Sequence, residues 1–163
     1  MIQPALMKLV ILGVGLAMAA QGLVTQKTLS LGLAKTMAEA ALAECKSKGF
    51  ATSVVVVDRA GQTLVVLRDE GASAQTAEMA RRKAYTARMF RMSTLDFQKR
   101  TLDPKYAAQR DVADILALGG GVPISAGNDT NNVIGGIASS GSSQEQDDAC
   151  AKAGVARVAD LLK

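Results

Sequence analysis

Four consecutive valines, Val54-Val55-Val56-Val57, constrain the fold of this chain more than any other stretch. β-branched side chains fit a pleated, extended backbone. An apolar run without alternating polar residues describes a strand covered on both faces. The chain must therefore place packing elements above and below a sheet. Asp58-Arg59-Ala60-Gly61 is rich in turn formers, and Gln62 to Arg68 reads as the returning strand of a hairpin.

A second hairpin is predicted further on. Gly119-Gly120-Gly121-Val122-Pro123-Ile124 leads into a third strand, Gly127 to Asn132 is dense in turn formers, and Val133 to Ser139 forms a fourth. Helices frame these hairpins. Ser30 is placed to cap a helix over about 31–48, with Ala34, Ala38, Ala41 and Cys45 on one face and Gly49 as its stop. A second helix spans about Thr76 to Phe90, with Ala80, Ala84 and Ala87 on one side and basic residues on the other. Ser93 with Asp96 reads as a fresh N-terminus, and the stretch from Ser93 to Leu118 as short helices and loop. Ser142 with Glu145, or Ser143 with Gln146, forms a capping box for a last helix reaching about Leu162, with Ala151, Val155, Val158 and Leu162 on one face. The order helix, hairpin, helical middle, hairpin, helix predicts an α+β fold with helices packed on an antiparallel sheet.

The N-terminus follows different rules. Lys8 precedes an apolar run from Leu9 to Ala20, too short to span a bilayer comfortably and suited to the core of a secretory signal. Ala17-Met18-Ala19 supplies a small-x-small cleavage site, and Met7 makes a more typical signal start than Met1. Residues 1–19 are therefore expected to be a cleaved leader and residues 20–163 a single domain, with no membrane attachment after cleavage. The expected location is periplasmic or secreted. An uncleaved anchor and a buried core helix are the competing readings. In an oxidising compartment Cys45 and Cys150 could form one disulfide closing a long loop; the alternative is two small buried residues on helices.

Hydrophobic residues make up 48% of the chain but aromatics only 3%, so the core must be built from small and aliphatic side chains. Such side chains bury little area each, and a homo-oligomer interface is expected to complete the burial. The net charge of +4 comes with a basic cluster, Arg81, Arg82, Lys83, Arg88, Arg91, Lys99, Arg100 and Lys105. No aromatic platform interleaves with it, so a nucleic-acid partner is not expected, and a solvated helix face or an anion contact is the simpler reading.

Four segments resemble one known family. Val55-Val56-Val57-Asp58-Arg59-Ala60-Gly61-Gln62-Thr63-Leu64-Val65 resembles its VVD-x-x-G-x-L-V hairpin, and Lys83-Ala84-Tyr85-Thr86-Ala87, followed by Phe90, its K-A-x-T-A helix. Gly120-Gly121-Val122-Pro123-Ile124 is similar to its GGVPI, and Ser140-Gly141 through Glu145-Gln146-Asp147-Asp148-Ala149-Cys150-Ala151 to its SGG-x-x-x-QDE-x-CA ending. The four occur in the family's order. On these residues the chain resembles the HbpS/GlcG-like group, also found as the C-terminal domain of PduO-type proteins, over roughly residues 28–162. The resemblance implies a three-layer, profilin-like α/β/α sandwich, higher oligomers and, for some members, haem binding or haem degradation. It also marks Lys83 as the first candidate for a functional role and places the glycine run and the start of the second helix near a pocket at subunit contacts.

Chemistry narrows the choices. The chain contains no histidine, which excludes a His-ligated haem, a His-containing metal site and any His-based triad or general base. Haem would have to use Met79, Met89, Met92, Tyr85, Tyr106, Cys45 or Cys150, and methionines at helical spacing are more often core filler. Arg81, Arg82 and Lys83 could pair with propionates or another organic anion. Gly119 to Gly121 is no phosphate loop, since no Gly-Lys-Ser/Thr follows, and tight backbone packing explains it better. Gly141 could leave backbone N–H groups for an anion at the start of the last helix. Asp58 is better explained by turn chemistry and Glu78 by an i,i+4 ion pair with Arg82; Asp69, Glu70, Asp96 and Asp103 offer no legible acid–base pair. The expected ligand-binding set is Arg81, Lys83, Tyr85, Gly120, Gly121, Pro123 and Gly141, with no resident metal. The expected function is small-ligand binding, of haem or another small organic anion. An enzyme acting on haem or a small carbonyl compound, drawing on Glu78, Asp69, Lys83 or Tyr85, and an accessory assembly subunit are the alternatives.

Overall fold

In the computed structural model, which describes residues 22–127 and 129–163, the valine run lies inside an antiparallel sheet. The expected leader lies outside the described residues. Strand β1 (Ser53–Val57) pairs with β2 (Thr63–Arg68) on one side and with β4 (Val133–Ser140) on the other. β3 (Gly121–Ser125) pairs with β4 and closes the far edge, so the order is β2-β1-β4-β3. Each hairpin thus supplies one inner and one outer strand. Every residue of β1 and β4 is buried.

The first hairpin turns on Asp58. Its Oδ1 accepts from the backbone N–H groups of Ala60 and Gln62, while Gly61 takes the left-handed conformation at φ +83°.

Helix α1 (Leu31–Ser47) starts on Ser30, whose hydroxyl accepts from the N–H of Leu33, and stops at Gly49, where φ is +83°. α2 spans Thr76–Phe90 and α3 Thr94–Arg100, the latter capped by Ser93. A 3-10 helix over Pro104–Asp111 continues the helical middle. α4 (Gln144–Arg157) starts on Ser143, whose hydroxyl accepts from Gln146 N–H, and Ser142 turns instead to Asp147. The last helix does not run unbroken to Leu162: the α-helix ends at Arg157 and a 3-10 turn, Ala159–Leu161, follows.

The strand pleat sorts the valines between two layers. Val54 and Val56 join Ala34, Met37, Ala38 and Ala41 of α1 and Ala151 of α4 in the larger core. Val55 and Val57 join Ala80 and Ala84 of α2 with Ala138 in a smaller one. The result is the three-layer α/β/α arrangement, with α1 and α4 on one face and α2 on the other. Cys45 of α1 and Cys150 of α4 are joined by a disulfide (S–S 2.08 Å, Cα–Cα 5.6 Å).

Glycines set the spacing on the α2 face. A Cβ on Gly136 would collide with the carbonyl of Ala84, and one on Gly121 would lie 2.5 Å from that of Lys83. The helix backbone can lie this close to β3 and β4 only because no side chain intervenes.

Candidate functional site

α2 carries three consecutive cations, and helical geometry sends them in different directions. Arg81 donates from Nε to Glu78 Oε2 (2.7 Å) and from a terminal nitrogen to Asp114 Oδ1 (2.6 Å). The hydrogen bond with Glu78 is the main reason the Arg81 guanidinium is held above its ordinary value and the Glu78 carboxyl below its own. The i,i+4 pairing expected between Glu78 and Arg82 is not made. Glu78 binds Arg81 at i+3, and Arg82 donates instead to the carbonyl of Ile115 (2.6 Å). The three residues therefore do not form one anion-binding cluster.

Lys83 points inward and is 1% exposed. Its ammonium donates to Asp147 Oδ2 (3.0 Å) and to the Ser139 carbonyl (3.2 Å). Asp147, on the first turn of α4, is 2% exposed; its Oδ1 accepts from the hydroxyl (2.7 Å) and the N–H (3.1 Å) of Ser142. Burial lowers the Lys83 amine from its ordinary value, and the Asp147 charge opposes that shift.

Gly120 makes room for this pair. It takes φ +121°, and a Cβ there would lie 2.7 Å from Asp147 Cβ and 3.0 Å from Lys83 Nζ. Gly141, at φ +141°, lies against Ala51 and Thr52, where a Cβ would sit 2.6 Å from the Ala51 carbonyl. Lys83 and Gly141 border a cleft of about 520 Å³ between the start of α2 and the start of α4, with Thr76, Met79, Ser142 and Asp147 also on its wall.

Of the other expected site residues, Gly121 packs under the Lys83 backbone, and Pro123 lies half-buried in β3 opposite Gly136. Tyr85 is elsewhere: its ring, with Met89, fills the space beside Gly61 at the first hairpin turn. The named carboxylates are engaged locally. Asp69 accepts from Gly71 N–H and Lys46, Asp96 from Ser93, and Asp103 from Lys105 N–H. Glu70 lies 3.9 Å from Lys46.

Asp147 is the site residue that sequence reasoning did not single out. Its signal was present: it lies four residues before Ala151, on the apolar stripe of the last helix, as Lys83 lies beside Ala80, Ala84 and Ala87 on that of α2. A cation and an acid on two buried stripes facing one sheet are natural partners.

A haem iron needs an axial donor. Cys45 and Cys150 are bonded to each other, Tyr85 and Met89 sit at the first hairpin turn, and Tyr106 packs under Arg100 (4.3 Å). Of the donors considered, Met79 alone borders the cleft, and Arg81 and Arg82 are turned away from it. With one candidate axial donor and no arginine facing it for the propionates, the cleft of one chain is a poor fit for haem. Its buried amine, hydroxyls and helix start suit a smaller polar ligand. Among the described residues no group of three or more acids or cysteines could hold a metal ion.

Comparison with known proteins adds an independent line. Residues 29–156 match the family described as "Haem degrading protein HbpS-like". A crystal structure of HbpS superimposes with a TM-score of 0.78 at 37% identity, covering 85% of this chain and 96% of that one. A crystal structure of a PduOC–haem complex superimposes with a TM-score of 0.69 at 25% identity, covering 79% and 94%. An uncharacterized 15.0 kDa protein from the dhaT-dhaS intergenic region of Citrobacter freundii is 32% identical over 124 residues, 74% of this chain and 84% of that protein. These matches agree with the resemblance carried by the four motifs.

Proposed function

The chain belongs to the HbpS-like family, and from that premise we propose that it is an exported small-ligand-binding protein that works as an oligomer and seats an organic anion in the Lys83–Asp147 cleft. One observation carries the reading: a lysine and an aspartate, nearly free of solvent contact, sit on the wall of a cleft at the start of a 14-residue helix. Burying two charges is costly, and a hydrophobic pair of similar volume is often as stable or more so. A ligand site gives the pair a use.

Export is supported by the apolar run after Lys8 and by the Cys45–Cys150 disulfide, which belongs in an oxidising compartment. The exposed Val66, Leu102 and Val112 support assembly with further copies. The family's description and the PduOC–haem complex favour haem as a second reading, in which residues of another copy complete the site.

Haemin titration of the oligomer, beside a thermal-shift screen of small carboxylates, separates the two. A carboxylate that raises the melting temperature in wild type but not in a Ser142→Ala variant supports the cleft reading. A saturable Soret shift with no carboxylate response would transfer the function to haem. Loss of the haem absorbance under reductant would add degradation.

A further inference from the structure

Among the described residues Lys83 differs from the other lysines. Its side chain is 1% exposed, against 63% for Lys46 and Lys152 and 71% for Lys163. An ammonium has three N–H groups, and the contacts with Asp147 and Ser139 use two. Lys83 is among the residues that line the cleft, and its nitrogen lies beside Gly120, where a Cβ would be 3.0 Å from it. Asp147 is held from its other side by both donors of Ser142, so its carboxylate is fixed where it faces the amine. A lysine becomes a nucleophile when desolvation and a positioned base let it act as the neutral amine. Burial of Lys83 works in that direction.

We propose that Lys83 Nζ forms a reversible imine with a small 2-oxo acid bound in the cleft. This deepens the cleft reading and rests on it. Lys83 first passes a proton to Asp147. The freed lone pair attacks the carbonyl carbon, a C–N bond forms, and the C=O π pair moves to oxygen. That oxygen takes a proton from Asp147, giving the carbinolamine. One of the two remaining amine protons and the hydroxyl then leave as water, and the other proton stays on nitrogen in a protonated C=N bond. The iminium keeps the positive charge opposite Asp147, so the buried pair survives the step. No oxidant or reductant is required.

The test incubates the full chain with pyruvate and sodium borohydride, which reduces an iminium irreversibly to a secondary amine, and maps the adduct by peptide mass spectrometry. The expected result is one adduct per chain, on Lys83. The exposed lysines are internal controls, so the wild-type map decides without any substitution. An adduct confined to Lys46, Lys152 and their like, or no adduct, overturns the proposal. Asp147→Asn, checked for folding by circular dichroism, is expected to slow trapping by about 10²-fold, the scale of a lost acid–base partner. Calorimetry with lactate, which lacks the ketone, keeps the two readings apart. Lactate binding without a pyruvate adduct removes the imine and leaves the cleft. No lactate binding and no adduct removes both.

Discussion

The two faces of the sheet are held by different means. On the α1/α4 face, Met37, Val54, Val56 and Ile137 interdigitate in a large apolar cluster, and a disulfide joins the two helices. On the α2 face the apolar cluster is Val55, Val57 and three alanines, the spacing is set by glycines, and a buried ion pair reaches past the sheet edge to α4. The first face is built for stability. The second keeps polar groups at close quarters beside a cleft, a combination that costs stability and that the proposed ligand site would use.

Substitutions can break this contrast. The largest effect is expected from Asp147→Ala, which leaves Lys83 buried without its partner and should cost about 3–5 kcal/mol in urea unfolding. The double variant Lys83→Met with Asp147→Leu should be close to neutral. If it is as unstable as the single variant, the damage lies in packing rather than in the unpaired charge. On the opposite face Met37→Ala removes a fully buried side chain and should cost about 2–5 kcal/mol, with cleft ligand binding unchanged.

Reduction of Cys45–Cys150 comes next. The bond closes a loop with a sequence separation of 105, and its loss should lower stability by about 2–4 kcal/mol, read as a fall in melting temperature with reductant. A fall in ligand affinity at a temperature where the protein stays folded would show that the two faces are coupled.

The faces also differ in the pH range of their response, although stability rises with pH in both. Burial holds the Lys83 amine below 10.5, so between that lowered value and 10.5 the unfolded chain binds more protons. Stability should therefore rise with pH in the alkaline range, and Lys83→Met should abolish the rise in chemical denaturation. Asp69 beside α1 responds in the acid range instead: the Gly71 N–H and then Lys46 hold its carboxyl below 3.8. Its contribution is present above that value and lost as pH falls through the depressed one. The smallest effect is expected for Arg81→Ala, an outward-facing pair worth about 0.2–1 kcal/mol. A larger cost, or lost ligand binding, would bring Arg81 back into the site.

Much of the architecture was legible in local patterns. The valine run called for cover on both faces, the turn at Asp58 called for a hairpin, and Ser30, Ser93 and Ser143 marked three helix starts, because these signals act over a few residues of backbone. Lys83 was legible as a candidate only through a motif. Its partner Asp147 was not, although each sits on the apolar stripe of its helix. Tyr85, two residues after Lys83, looked equally available, yet its position on α2 carries it to the first hairpin turn.

The sequence by itself determined the element order, the antiparallel hairpins, the family and the exclusion of histidine chemistry, since each rests on residue identity or short-range geometry. Only the tertiary structure decided which charges meet. Arg81, Arg82 and Lys83 are adjacent in the chain, but a helix turns them apart, and Lys83 finds a carboxylate 64 residues away because the fold sets Ser139 of β4 and the first turn of α4 around its ammonium. It also decided between a disulfide and two buried thiols, because pairing required Cα atoms 5.6 Å apart on helices that only the packed sheet brings side by side.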